Sequence, residues 1–99
     1  MDNMFKTNFT ANFTQWKSLE ALAYWTADRE YLKEKYGADD PEVAVARGHS
    51  VDMVRELNEL DVPKWVQSAV MTWAEDWRAY VEQYMDTALR RMGYDISRG

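Results

Sequence analysis

His49, Asp52 and Glu56 stand at i, i+3 and i+7, so on a helix they share one face. One imidazole and two carboxylates in that arrangement could hold a divalent metal. A second His or a Cys would normally complete such a set, but the chain has one His and no Cys. The expectation is therefore a surface histidine among acids, with no metal and no cofactor. Ser50 beside it makes no nucleophile–base pair, because adjacent helical residues do not face each other. Without Cys there are also no disulfides, thiolate nucleophiles or Cys-based zinc or iron–sulfur sites.

Carboxylates alone offer a second kind of chemistry. Glu56-x-x-Glu59 resembles the first half of the magnesium site in small all-α nucleotide pyrophosphohydrolases, whose second half is a later Glu-x-x-Asp. Here Glu75 is followed at that spacing by Arg78, and Glu82 by Met85, so the pattern is incomplete. No Gly-rich phosphate loop is present either. A carboxylate- or metal-dependent hydrolase is the third-ranked reading, and the chain is expected not to be an enzyme.

Aromatic residues are the strongest remaining signal. The chain carries five Trp and six Tyr in 99 residues, and such side chains dominate the energetics of cores and interfaces alike. Trp73, Trp77, Tyr80 and Tyr84 recur at helical spacing, which reads first as core. The alternative is an aromatic pocket for a planar ligand. Trp65 lies off the main stripe of its segment and Trp25 on a secondary stripe of its own, which suits a partner surface.

Charge is localised. Residues 37–61 carry Arg47 and Arg55 against seven acids, which is the whole net charge of −5. A solvated helix face explains part of this. A docking face for a basic partner protein, built from Glu42, Asp52, Glu56 and Glu59, is the sharper expectation. Nucleic acid is not expected to bind directly, since no Lys/Arg stripe exists to meet phosphates.

The elements that must position these residues are few. Gly37, Gly48, Gly93 and Gly99 are the only glycines, and Pro41 and Pro63 the only prolines. They predict three helices. The first covers 14–36, capped by Thr14 and closed by Gly37. The second covers 41–60, with Asp40 as N-cap and Pro41 at N1. Gly48 either bends it or lets another helix approach. The third covers 63–92, with one apolar face throughout. At 1.5 Å per residue it would be about 45 Å long and overhang the other two. Residues 1–13 form an arm or a short helix, and 93–99 a tail.

The fold expected is an all-α three-helix bundle with a long C-terminal helix, completed by dimerisation of the overhanging stripe. No run approaches the ~18 apolar residues of a membrane span, and the first residues, without a basic stretch followed by an apolar run, are not expected to act as a signal peptide. A cytoplasmic protein is expected. The function expected is a small interaction module, a regulator or inhibitor that acts by binding a partner protein. Phage and mobile-element genomes encode many such proteins, an analogy at the level of fold. The runner-up is a helical ligand-binding protein whose pocket is built from Trp73, Trp77, Tyr80 and Tyr84.

Overall fold

Asn12 begins the first helix, because its side chain accepts the Gln15 N–H at 2.8 Å while the Gln15 side chain accepts the Asn12 N–H at 2.9 Å. This capping box starts α1 at Phe13, so the cap is Asn12 and not Thr14. The computed structural model describes residues 8–99. In chain order these form β1 (Asn8–Ala11), α1 (Phe13–Tyr36), α2 (Pro41–Glu59), α3 (Lys64–Glu75), α4 (Trp77–Glu82), α5 (Met85–Arg91) and β2 (Asp95–Arg98). The protein is mostly helical. Phe5 and the rest of the arm before Asn8 lie outside the described residues.

α2 starts where expected, with the Asp40 carboxylate accepting the Glu42 N–H and Pro41 at its first position. It runs back along α1, since Ser18 meets Glu56 near one end and Trp25 meets His49 nearer the other. Gly48 neither bends the helix nor admits a neighbour. α2 is continuous through it, and a Cβ there would meet nothing within 4 Å. Asp61 then ends α2 in the left-handed region at φ 60°. The Val62 N–H bonds the Leu57 carbonyl and the Asp61 N–H that of Asn58. This is a Schellman closure with Asp at the position glycine usually takes.

The third expected helix is three helices. Asp76 leaves helical geometry at φ −92°, ψ 85°, and its carboxylate accepts the Ala79 N–H at 3.4 Å. A new helix, α4, starts from that cap. Gln83 and Tyr84 are extended, and α5 follows. Neither break contains Gly or Pro. At the first, the short polar side chain of Asp76 bonds its own backbone and diverts the chain; at the second, no side chain caps α5. The reversal lays α4 against α1: Trp77 meets Tyr31 edge-on with centroids 4.9 Å apart, and Arg78 bonds Glu34. The overhang that motivated a dimer is therefore absent, because the stripe folds back onto its own chain.

Both ends of the described residues are strands, where an arm or short helix and a tail were expected. β1 and β2 pair in parallel, Asn8 opposite Asp95 through Ala11 opposite Arg98. Ala11 and Ile96 carry this small sheet into the core. That core joins Trp16, Leu19 and Leu22 of α1 to Leu57 of α2, Val66, Val70 and Trp73 of α3, and Met85 and Leu89 of α5. α4 alone buries no residue fully. No helix of the described residues is long and apolar enough to cross a membrane.

Candidate functional site

The face between α1 and α4 is built from two short aromatic series. On α1, Glu20, Tyr24, Asp28 and Tyr31 fall at three- and four-residue steps, one side of a helix. On α4, Trp77, Tyr80 and Val81 do the same. Because α4 runs back along α1, the series face each other and leave two adjoining clefts. The larger, of about 440 Å³, is lined by Glu20, Ala23, Trp73, Tyr80, Val81, Gln83, Tyr84 and Met85. The smaller, of about 210 Å³, lies between Tyr24, Ala27, Tyr31, Trp77 and Tyr80. Tyr80 and Val81 belong to both walls.

Exposure grows along this face. Tyr24 is 50% exposed, Val81 67% and Tyr84 84%. These are large apolar surfaces held in water beside a groove, not packed inside. Trp73 sits at the floor, 7% exposed, with its centroid 5.2 Å from that of Tyr80. Its indole nitrogen is buried and, among the described residues, has no partner. Burial pushes the Tyr80 hydroxyl up from its ordinary pKa, and the neighbouring Tyr24 and Glu20 add to that shift.

One end of α4 is fastened electrostatically. Arg78 makes two hydrogen bonds to the Glu34 carboxylate, and the Trp77 indole N–H donates to the same group at 3.3 Å. The Arg78 guanidinium also lies 4.4 Å from the centre of the Trp77 ring. The Arg78 hydrogen bond holds the Glu34 carboxyl below its usual value, and the same contact raises Arg78.

The four residues expected to line an aromatic pocket are thus placed at the groove, but by three different elements. Trp73 comes from α3, Trp77 and Tyr80 from α4, and Tyr84 from the junction with α5. They do not share one helix face. Sequence reasoning missed Glu20, Tyr24, Tyr31 and Val81. The spacing of Glu20, Tyr24, Asp28 and Tyr31 was the available signal, obscured by two more apolar stripes on the same helix.

The residues expected on a partner surface separate. Glu42, Asp52, Glu56 and Glu59 are all exposed on α2. Glu56 is not free, because it accepts the hydroxyl of Ser18, which is buried on α1. Asp52 pairs loosely with Arg55 at 3.5 Å. Trp25 and Trp65 are half-buried and occupied. Trp25 stacks on His49 with centroids 4.1 Å apart, and Trp65 stacks on Tyr94 at 6.0 Å. Among the described residues, no group of three or more His, Asp or Glu is placed to hold a metal. No protein-family model, curated protein or solved structure matches this chain.

Proposed function

We propose that this chain is a small binding module that acts by occupying a partner protein, and that its docking face is the aromatic groove between α1 and α4. The observation that supports this most is the exposure of Tyr24, Val81 and Tyr84 along one pair of clefts. Contiguous exposed apolar surface rimmed by polar groups marks interaction sites, and Trp and Tyr are the usual anchors. The acids of α2 line neither cleft, and serve as a separate electrostatic face that guides a basic partner without carrying the affinity.

The experiment compares three forms of the protein against a partner captured from lysate, identified and then purified. Val81→Ser with Tyr84→Ser removes the exposed apolar anchors. Both residues are well exposed, so stability should move by less than about 0.5 kcal/mol. Binding should fall at least tenfold, at about 1.4 kcal/mol per factor of ten. Asp52→Lys with Glu59→Lys should instead slow association and flatten its salt dependence. Undiminished binding by the serine variant would rule out this face.

A second reading is favoured by the size of the larger cleft. About 440 Å³ falls within the ~300–1,000 Å³ of small-ligand sites. A planar metabolite bound there would raise the melting temperature, with about 2.7 kcal/mol of stabilisation at a hundredfold excess over Kd. A broad screen without any shift would remove this reading and leave the docking one.

A further inference from the structure

Aromatic rings of this chain repeatedly carry one of its own cations. Arg78 lies 4.4 Å from the centre of the Trp77 ring, Lys35 5.8 Å from that of Tyr31, and Arg98 5.9 Å from that of Trp16. Among the described residues, Trp73, Tyr80 and Tyr84 carry none. These three rings line the larger cleft, and its one charged residue is an acid, Glu20. Among the described residues, no Lys or Arg lines it. Aromatic walls around a single carboxylate, whose one base partner is the exposed Lys17 at 3.4 Å, favour an ammonium group. An anion would meet Glu20 repulsively and find only neutral donors, the Gln83 amide and the tyrosine hydroxyls.

We propose that this cleft takes the ammonium group of a lysine side chain presented by the partner protein, with Glu20 as its counter-charge and Trp73, Tyr80 and Tyr84 as its aromatic walls. The proposal rests on the docking reading and gives that face its chemical preference. A lysine fits the site for two reasons. Its apolar stem can lie along Val81 and Met85 at the cleft wall while its charged head reaches Glu20. The neighbourhood already shows the pairing in miniature: Lys17 reaches Glu20 from the solvent side at 3.4 Å, with both side chains well exposed. An exposed pair of that kind is weak, so an incoming ammonium held between rings can displace it.

The closing experiment reads the cleft with small probes, so it does not depend on having found a partner. The protein labelled with nitrogen-15 is titrated with Nα-acetyl-lysine methylamide, with its neutral Nε-acetylated counterpart, and with choline. The indole N–H signal of Trp73, assigned by its loss in Trp73→Phe, reports on the cleft, and those of Trp25 and Trp65 serve as references. The lysine probe should shift the Trp73 signal saturably and leave the references in place. The neutral probe should not. Glu20→Gln should weaken the lysine probe about three- to fivefold, the loss expected of one half-exposed ion pair. An equal response to the neutral probe, or none to either, would overturn the ammonium assignment while leaving the docking face to its own test with Val81→Ser and Tyr84→Ser. Choline binding tenfold tighter than the lysine probe would also overturn it, by moving the cleft's ligand from a partner's side chain to a free quaternary amine.

Discussion

Trp25 lies flat on His49, with ring centroids 4.1 Å apart and planes 24° from parallel. The two residues come from opposite members of the α1–α2 pair. The only imidazole of the chain is therefore engaged as a packing surface, and the indole beside it is partly covered. Replacing His49 with Ala should cost about 0.5–1.5 kcal/mol, the worth of a stacked aromatic pair beyond its area. In a domain of this size that is a fall of several degrees in melting temperature. Added zinc should leave both melts where they are. A melt that rises with zinc in the wild type but not in His49→Ala would show a metal role instead.

Glu56 and Asp52 look alike in sequence and differ in what they touch. Glu56 accepts the hydroxyl of the buried Ser18, whereas the Asp52 side chain is 59% exposed beside Arg55. Glu56→Lys should destabilise the protein by about 1–3 kcal/mol, because the buried hydroxyl loses its acceptor. Asp52→Lys should stay within about ±0.5 kcal/mol. Denaturant melts of the two single variants distinguish them directly, and equal midpoints would mean that the Ser18 contact contributes nothing.

The Arg78–Glu34 contact should give α4 a pH-dependent hold. The carboxyl of Glu34 is held below its ordinary value of 4.5 in the folded protein, first by the Arg78 hydrogen bond. A depressed folded value means the contribution is fully present above 4.5 and is lost as pH falls through the lower, folded value. Arg78→Ala should thus be less stable than wild type at neutral pH, with the two stability curves converging in acid. Both side chains are well exposed, so the gap is small. A gap that is constant down to acid pH would contradict the assignment.

Gly48 weakens α2 with nothing gained in return. A Cβ would enter open space, and the helix is regular on both sides. Gly48→Ala should raise stability by about 0.5–1 kcal/mol, the usual difference between the two residues in a helix interior. A lowered melting temperature would show a role for this glycine outside the folded monomer's own packing.

The sequence was most legible where local chemistry and tertiary packing agree. Asp40–Pro41 set the start of α2, and the mainly helical class followed from periodic apolar residues. It was least legible from Asp76 onward. There the apolar stripe runs through Trp73, Trp77, Tyr80 and Tyr84 without interruption, and periodicity alone predicts one rod. Periodicity records which residues seek cover, not whether the cover comes from a second copy or from the chain turning back. Asp76 was the only local sign of the turn, and an Asp in a helix is common enough to be read past. The strands failed for a different reason. Four residues at each end carry little pattern of their own, and their pairing depends on contacts that the helices must first create. Of the site, Trp73, Trp77, Tyr80 and Tyr84 were visible as a set, while their α1 counterparts were hidden among other stripes.

The parallel pairing of β1 with β2 has a kinetic consequence. Its residues are nearly a chain length apart, and the closure entropy of so long a loop makes late closure, after the local helical contacts, the expected order. Contacts made after the folding barrier act mainly on the rate of escape from the native state. Ile96, almost fully buried, anchors that clip. Ile96→Ala should therefore speed unfolding while leaving the refolding limb of a chevron nearly unmoved. Ile96 belongs to the core as well, so the same variant should lose stability, with the loss falling on the unfolding rate.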